Sequence, residues 1–295
     1  MKQEIIQRAL DKIQERKRKN IAEFQSKMQP LYDDEKYMAC TKKHTQIMIE
    51  NAKKEALGFS PDKQAEEKCL TEQKSIIKQY GLENVQMTYS CPVCKDEGFK
   101  NGQMCKCLKK EISNILMKDS GFENLENFAD ATKTSNNLSP YYKKMQEWCH
   151  SDFKKNLLLL SGQTGVGKTY LTRCMANELI ERGLIVKMST AFKMTQDFKS
   201  FHKSHNEELL NQYLDCQVLF IDDLGTEPLY KDITLEYLYL IINERKMRKL
   251  PTVITTNLDI SQIRETYDER IYSRIVDRQT SITIFLDGTD RRVNK

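Results

Sequence analysis

Residues 162–169 read GQTGVGKT, and the fold turns on how that stretch is read. It fits G-x-x-x-x-G-K-[ST] without a mismatch, and its flanks matter as much as the match. NLLLLS, residues 156–161, is an aliphatic run of strand length. YLTRCMANELIERG, residues 170–183, has helical spacing and closes on Gly183 as a cap. A strand, a glycine loop and a helix in that order suit a phosphate. Gly162, Gly165 and Gly167 let the backbone curl so that its N–H groups face phosphate oxygens, and the helix N-terminus adds a favourable dipole. In such a loop Lys168 supplies charge to the β- and γ-phosphates and the Thr169 hydroxyl binds Mg²⁺.

Outward from the loop, apolar strand-like runs alternate with helical ones. NLLLLS, LIVKMST, QVLFIDD, PTVITTN and SITIFL are the strands; helices are expected near 168–182 and 232–248, with shorter ones between. The alternation predicts a parallel sheet covered by helices. A phosphate loop alone implies nucleotide binding, not hydrolysis. In VLFIDDLG, residues 218–225, a buried strand delivers Asp222 and Asp223 to its C-terminal end, where such sheets bind ligands. Asp222 suits Mg²⁺ coordination, and Asp223 is placed to orient or deprotonate an attacking water. VITTNLD ends a strand on Asn257, whose amide suits that water or the γ-phosphate, although many ordinary strands end on Asn. DERIYSRIVDR, residues 268–278, spaces Arg270, Arg274 and Arg278 four residues apart, on one face of a single helix. That face reads equally as solvated or as the source of an arginine finger for a neighbouring subunit.

Upstream the pattern changes. Ile6, Leu10, Ile13, Ile21, Phe24 and Met28 predict a helix over 1–29, interrupted by the basic run Arg16, Lys17, Arg18 and Lys19. Residues 31–85 read as charged helices broken at Gly58-Phe59-Ser60-Pro61. CPVCKDEGFKNGQMCKC, residues 91–107, then packs four of the nine cysteines into C-x₂-C-x₁₀-C-x-C. Cys91, Cys94, Cys105 and Cys107 suit a tetrahedral Zn²⁺ site, with nearby lysines helping to hold thiolates charged. The other reading is redox-active or free thiols, although the strand and helix of a thioredoxin-like context are missing. The tight Cys105-Lys106-Cys107 pair leaves room for His44 or another donor to replace one ligand. Residues 119–139 read as a linker, and Ser139-Pro140 as a helix start.

At 295 residues the length suits about two domains. A formal charge of +5 is mild and names no nucleic-acid partner by itself. The N-terminus lacks the apolar stretch of a secretory signal, and no run of 18 apolar residues occurs. A cytoplasmic, reducing location without membrane insertion is therefore expected, and the odd cysteine count agrees. In AFKMTQDFKSFHKSHNEELL, residues 191–210, Phe192, Phe198 and Phe201 alternate with Lys193, Lys199 and Lys203. That mixture suits single-stranded DNA by stacking and phosphate contact. It equally suits a helix with a core-facing aromatic stripe.

In their order and spacing, GQTGVGKTYL, FIDDLG, TTNL and SRI resemble the AAA+ ATPases of the bacterial replicative helicase loaders (DnaC/DnaI-like). They also resemble the related IstB-type transposition helper ATPases, and the likeness covers roughly residues 120–295. It implies an α/β P-loop AAA+ ATPase domain at 140–295, a linker at 119–139 and a mostly helical zinc-binding N-terminal domain at 1–118. It implies that Lys168 and Thr169 bind ATP–Mg²⁺, that Asp222 and Asp223 are the acids of the second motif, and that Asn257 is the sensor. Arg274 becomes the finger, so the chain is expected to form a homo-oligomer when engaged. The implied function is ATP-dependent loading of a hexameric replicative DNA helicase onto single-stranded DNA during replication initiation, with the zinc domain engaging the helicase. Two alternatives stand beside it: a transposition helper ATPase, and an adaptor that binds ATP as a signal without hydrolysing it. The wider AAA+ class commonly has Glu where Asp223 stands; the shorter carboxylate lies farther from the water, and slow turnover is expected. Few residues follow SITIFL, so no helical lid is expected, and Arg291 and Arg292 remain as residues that would reach a phosphate.

Overall fold

The structure, a computed structural model, describes residues 3–119, 122, 124–130 and 139–288. Residues 131–138 of the expected linker, and Arg291 and Arg292, lie outside the described residues. The described chain forms two compact units, one of residues 13–97 and the other of the remainder.

In chain order α1 is Gln3–Tyr32, α2 Glu35–Ala56 and α3 Lys63–Gln79. A short hairpin follows, β1 Phe99–Lys100 and β2 Gln103–Met104, and then α4 Lys106–Lys118 and α5 Ser139–Cys149. The nucleotide-type half continues with β3 Leu157–Ser161, α6 Lys168–Glu181, β4 Val186–Thr190, α7 Ala191–Ser204 and α8 Glu208–Leu214. It ends with β5 Val218–Leu224, α9 Thr234–Met247, β6 Thr252–Thr256, α10 Ile260–Thr266, α11 Glu269–Ile275 and β7 Ser281–Phe285.

In the first unit the expected break at 58–61 falls between α2 and α3. Asp34 and Asp62 cap these helices by accepting the Tyr37 and Ala65 amides. Asn51 ties the hairpin closed, accepting the Asp62 amide at 2.8 Å and donating to Glu66 at 3.1 Å. The first helix runs three residues past the expected end, through Pro30 to Tyr32. Its basic run is partly spent on ion pairs, Lys17 with Glu97 and Lys19 with Glu15.

In the second unit all five expected strands form one parallel sheet in the order β4-β5-β6-β3-β7. Strands covered on both faces need continuous apolar runs, and LLLL of β3, VLFI of β5 and TVIT of β6 are buried throughout. The α6 helix ends in the expected glycine cap: Gly183, at φ 85°, donates to Ile180 O, and Leu184 donates to Leu179 O. The β4 edge is covered by α4, which buries Leu108, Ile112, Ile115 and Leu116, while the Val186 amide donates to Ser113 Oγ at 3.0 Å. Because β5, β6 and β3 are adjacent and parallel, their C-terminal ends, and the motifs they carry, meet at one edge. Among the described residues no helix is long and apolar enough to cross a membrane.

Candidate functional site

The glycine loop occupies the turn between β3 and α6, and two of its glycines are required by geometry. A Cβ on Gly162 would meet the Leu286 carbonyl oxygen at 2.4 Å. Gly167 starts α6 in the left-handed region at φ 99°, and no side chain caps that helix end. Lys168 is almost fully buried, and its Nζ donates to Gly162 O at 2.7 Å, Gln163 O at 2.9 Å and Asn257 Oδ1 at 2.7 Å. The ammonium group is thus held in the mouth of the loop, with the amide expected as sensor beside it.

Thr169, one residue on, donates to Asp222 Oδ2 at 3.0 Å. Asp222 is 3% exposed. Burial pushes its carboxyl above the usual range; bonds from Thr255 and Thr169 oppose that, and the neighbouring charge of Asp223 adds to it. Asp223 is more open to solvent and has φ 56°, in the left-handed region. The cause is a bulge: Ile221 pairs with Ile254 and Leu224 with Thr256, so Asp222 and Asp223 together face Thr255 alone. Strand β5 therefore presents one buried and one accessible acid, in place of two residues on opposite faces.

The loop after β5 is braced from below. Glu227 accepts from the Gly225 amide at 2.8 Å and from the Tyr267 hydroxyl. Ser161 Oγ donates to Leu258 O at 2.7 Å, fixing the loop that carries Asn257 to the end of β3. Neither brace was singled out in the sequence; Glu227 and Tyr267 lie 40 residues apart and share no motif. Thr255 was also missed, because a threonine inside VITTN reads first as a strand former.

The structure thus brings Gly162, Gly165, Gly167, Lys168, Thr169, Asp222 and Asn257 together, with Asp223 on the adjoining bulge. It does not bring the arginines there. Arg274 Nε donates to Asn243 Oδ1 of α9 at 2.9 Å, and Arg270 pairs with Glu236 at 3.0 Å and Asp268 at 2.8 Å. The expectation of one face for Arg270, Arg274 and Arg278 fails, because α11 ends at Ile275 and Arg278 lies in the following turn. Asp277 builds that turn by accepting from the Gln279 amide and the Thr280 hydroxyl.

The aromatic stripe at 191–210 is also corrected in part. Phe198 is buried against the rings of Tyr213 and Tyr237, and Phe201 stacks edge-on against Tyr237. Lys193 pairs with Asp197, and Lys199 lies over the Tyr230 ring. Phe192 alone of the three phenylalanines is exposed, at 52%.

The ligand atoms of Cys91, Cys94, Cys105 and Cys107 all lie within 4.8 Å of one another. That spacing fits four sulfurs around one ion, each about 2.3 Å from it. His44 is not among the grouped donors. Lys95 and Asp96 turn the chain after Cys94 in the left-handed region, at φ 52° and 59°. The Asp96 carboxylate holds the turn by accepting the Cys91 amide at 2.7 Å and the Ser90 amide at 2.9 Å.

The chain is similar to several known proteins. The Phage-like element PBSX protein XkdC of Bacillus subtilis (strain 168) is 27% identical over 231 residues, covering 70% of this chain and 85% of that protein. The replicative helicase loader DnaI of the same organism is 29% identical over 146 residues, covering 46% of this chain and 47% of the loader's own length. A crystal structure of DnaI aligns at a TM-score of 0.46 with 27% identity, over 56% of this chain and 90% of that one. The model of the IstB-like ATP binding protein family matches residues 119–286, the span that holds the glycine loop, the acid pair, Asn257 and Arg274. The chain belongs to that family, the IstB-type AAA+ ATPases to which the DnaC/DnaI-like helicase loaders are related.

Proposed function

We propose that this protein binds and slowly hydrolyses ATP, and uses that cycle to load a hexameric replicative helicase onto single-stranded DNA. The observation that carries the enzymatic part is the convergence of Lys168, Thr169, Asp222 and Asn257 at adjacent strand ends. The loop and Lys168 hold the phosphates, and Thr169 and Asp222 hold Mg²⁺, which neutralises charge on the phosphate oxygens. Asp223 orients the attacking water, Asn257 contacts it or the γ-phosphate, and Arg274 serves a neighbouring subunit. The buried acid beside the accessible one supports this division, since a metal ligand and a water-orienting base need different surroundings.

The loader role rests on the likeness to DnaI together with the cysteine cluster. The match to the IstB-like family supports the second reading, a helper of a transposase–DNA complex. ATP turnover with and without single-stranded DNA, followed by capture of partners on the ATP-bound protein, separates them. Recovery of a hexameric helicase supports loading, recovery of a transposase supports the helper, and binding without turnover points to a nucleotide-gated adaptor.

The cysteine cluster serves as a structural zinc site, and the domains divide as an N-terminal adaptor and a motor. Freshly purified, reduced protein is expected to carry about one Zn²⁺ per chain. Chelation is expected to unfold the stretch around 91–107 while the parallel sheet keeps its melting transition. Elemental analysis with no zinc, or chelation that leaves the hydrogen exchange of that stretch unchanged, counts against the site.

A further inference from the structure

We propose that Thr255 is the positioning residue of the acid pair: its one hydroxyl sets Asp222 and Asp223 together for Mg²⁺–nucleotide. This rests on the nucleotide reading above. Thr255 is 1% exposed, and a buried hydroxyl is costly unless it is bonded. Both of its bonds go to the acids. Oγ1 donates to Asp222 Oδ1 at 2.7 Å and accepts from the Asp223 amide at 2.9 Å.

The bulge explains why a hydroxyl is needed there. Two residues of β5 face one of β6, so the backbone ladder is interrupted at the acids. The Thr255 hydroxyl gives the Asp223 amide a partner, and that bond keeps Asp223 in its left-handed conformation at φ 56°. Thr256 mends the far side in the same way, donating to Leu224 O at 2.6 Å and accepting from the Leu258 amide at 3.0 Å. Adjacent threonine hydroxyls thus stand in for ladder bonds on either side of the bulge. Thr169 also donates to Asp222 at 3.0 Å, but in a loop holding Mg²⁺–nucleotide that hydroxyl would be a ligand of the metal. Thr255 then remains to orient the Asp222 carboxylate from the sheet side. It is buried and its hydroxyl bonds go to the two acids, so its effect passes through them.

The test compares Thr255→Val, which keeps shape and β-branching, with Thr255→Ser, which keeps the hydroxyl. Binding of a fluorescent ADP is measured in EDTA and across a Mg²⁺ titration, with hydrogen exchange at the Asp223 amide followed in nucleotide-free protein. For Thr255→Val, affinity in EDTA should stay within about twofold of wild type. The Mg²⁺ concentration for half-maximal binding should rise about tenfold, the low end for losing a hydrogen bond to a charged group. The Asp223 amide should exchange faster, and Thr255→Ser should restore both. Wild-type Mg²⁺ dependence and exchange in Thr255→Val overturn the proposal. So does an equal loss of affinity in EDTA and in Mg²⁺, which marks general damage to the pocket. If wild-type protein binds no nucleotide, the function proposed above fails instead, and exchange at Asp223 decides on Thr255 alone.

Discussion

Lys168→Ala is expected to abolish nucleotide binding and leave the fold intact. The Lys168 ammonium bonds two carbonyls of its own loop and the Asn257 side chain, at 2.7–2.9 Å, and sits where the β- and γ-phosphates of a bound nucleotide belong. Truncation removes the one side-chain cation of the loop. Charge-assisted bonds are worth roughly 1.5–3 kcal/mol each, and losing two phosphate contacts weakens binding by about 10²–10⁴-fold. The folding cost is much smaller. The three acceptors lie at the mouth of the loop, where water replaces the ammonium, so about 1 kcal/mol is expected. Titration with a fluorescent ATP analogue reads the first effect and thermal melting the second. Wild-type affinity in the variant removes the loop from consideration as a phosphate site. A collapse of melting temperature identifies Lys168 as a structural buried cation instead.

The glycine loop and the sheet were legible because each rests on a local pattern. Aliphatic runs of four or five residues have one economical solution, a strand buried on both faces, and the glycines of 162–169 are demanded by close approach and positive φ. What was not legible depends on single tertiary contacts. DERIYSRIVDR has helical spacing throughout, yet Asp268 caps a new helix and Asp277 builds a turn, so Arg278 leaves the face that carries Arg274. Phe198 and Phe201 lie at helical spacing that serves a core stripe as well as a stacking surface, and Tyr213 and Tyr237 decide between them. The bulge at the acid pair has no local signature: two consecutive aspartates after VLFI look like an ordinary strand end. Its cause is the pairing of β5 with β6, which no stretch of β5 alone encodes.

Arg274→Ala is expected to lose hydrolysis, by about 10³-fold or more for a residue acting as a finger, and to keep ATP binding. The arginine lies on α11, a helix anchored by buried Ile271 and Ile275, and among the described hydrogen bonds its guanidinium reaches only Asn243. Losing that bond costs on the order of 1 kcal/mol, too little to unfold the unit, so a lost rate reports on chemistry. Arg270 is the weaker candidate. Its guanidinium is already held by Glu236 and Asp268 and lies over the Tyr239 ring, so reaching a phosphate would first break two ion pairs. If Arg274 serves a neighbour's nucleotide, specific activity rises with protein concentration or with a bound partner. Mixing Arg274→Ala with Asp223→Asn then recovers part of the activity. In a mixed contact the Asp223→Asn subunit supplies the finger, and the Arg274→Ala subunit supplies an intact pocket. Two inactive proteins that gain turnover on mixing require a site shared between subunits, since neither gains anything alone. Normal hydrolysis by Arg274→Ala, or mixtures that stay inactive across ratios and concentrations, returns the role to Arg270 or to Arg278. Arg278 is exposed in its turn, whereas Arg270 is already paired with Glu236 and Asp268.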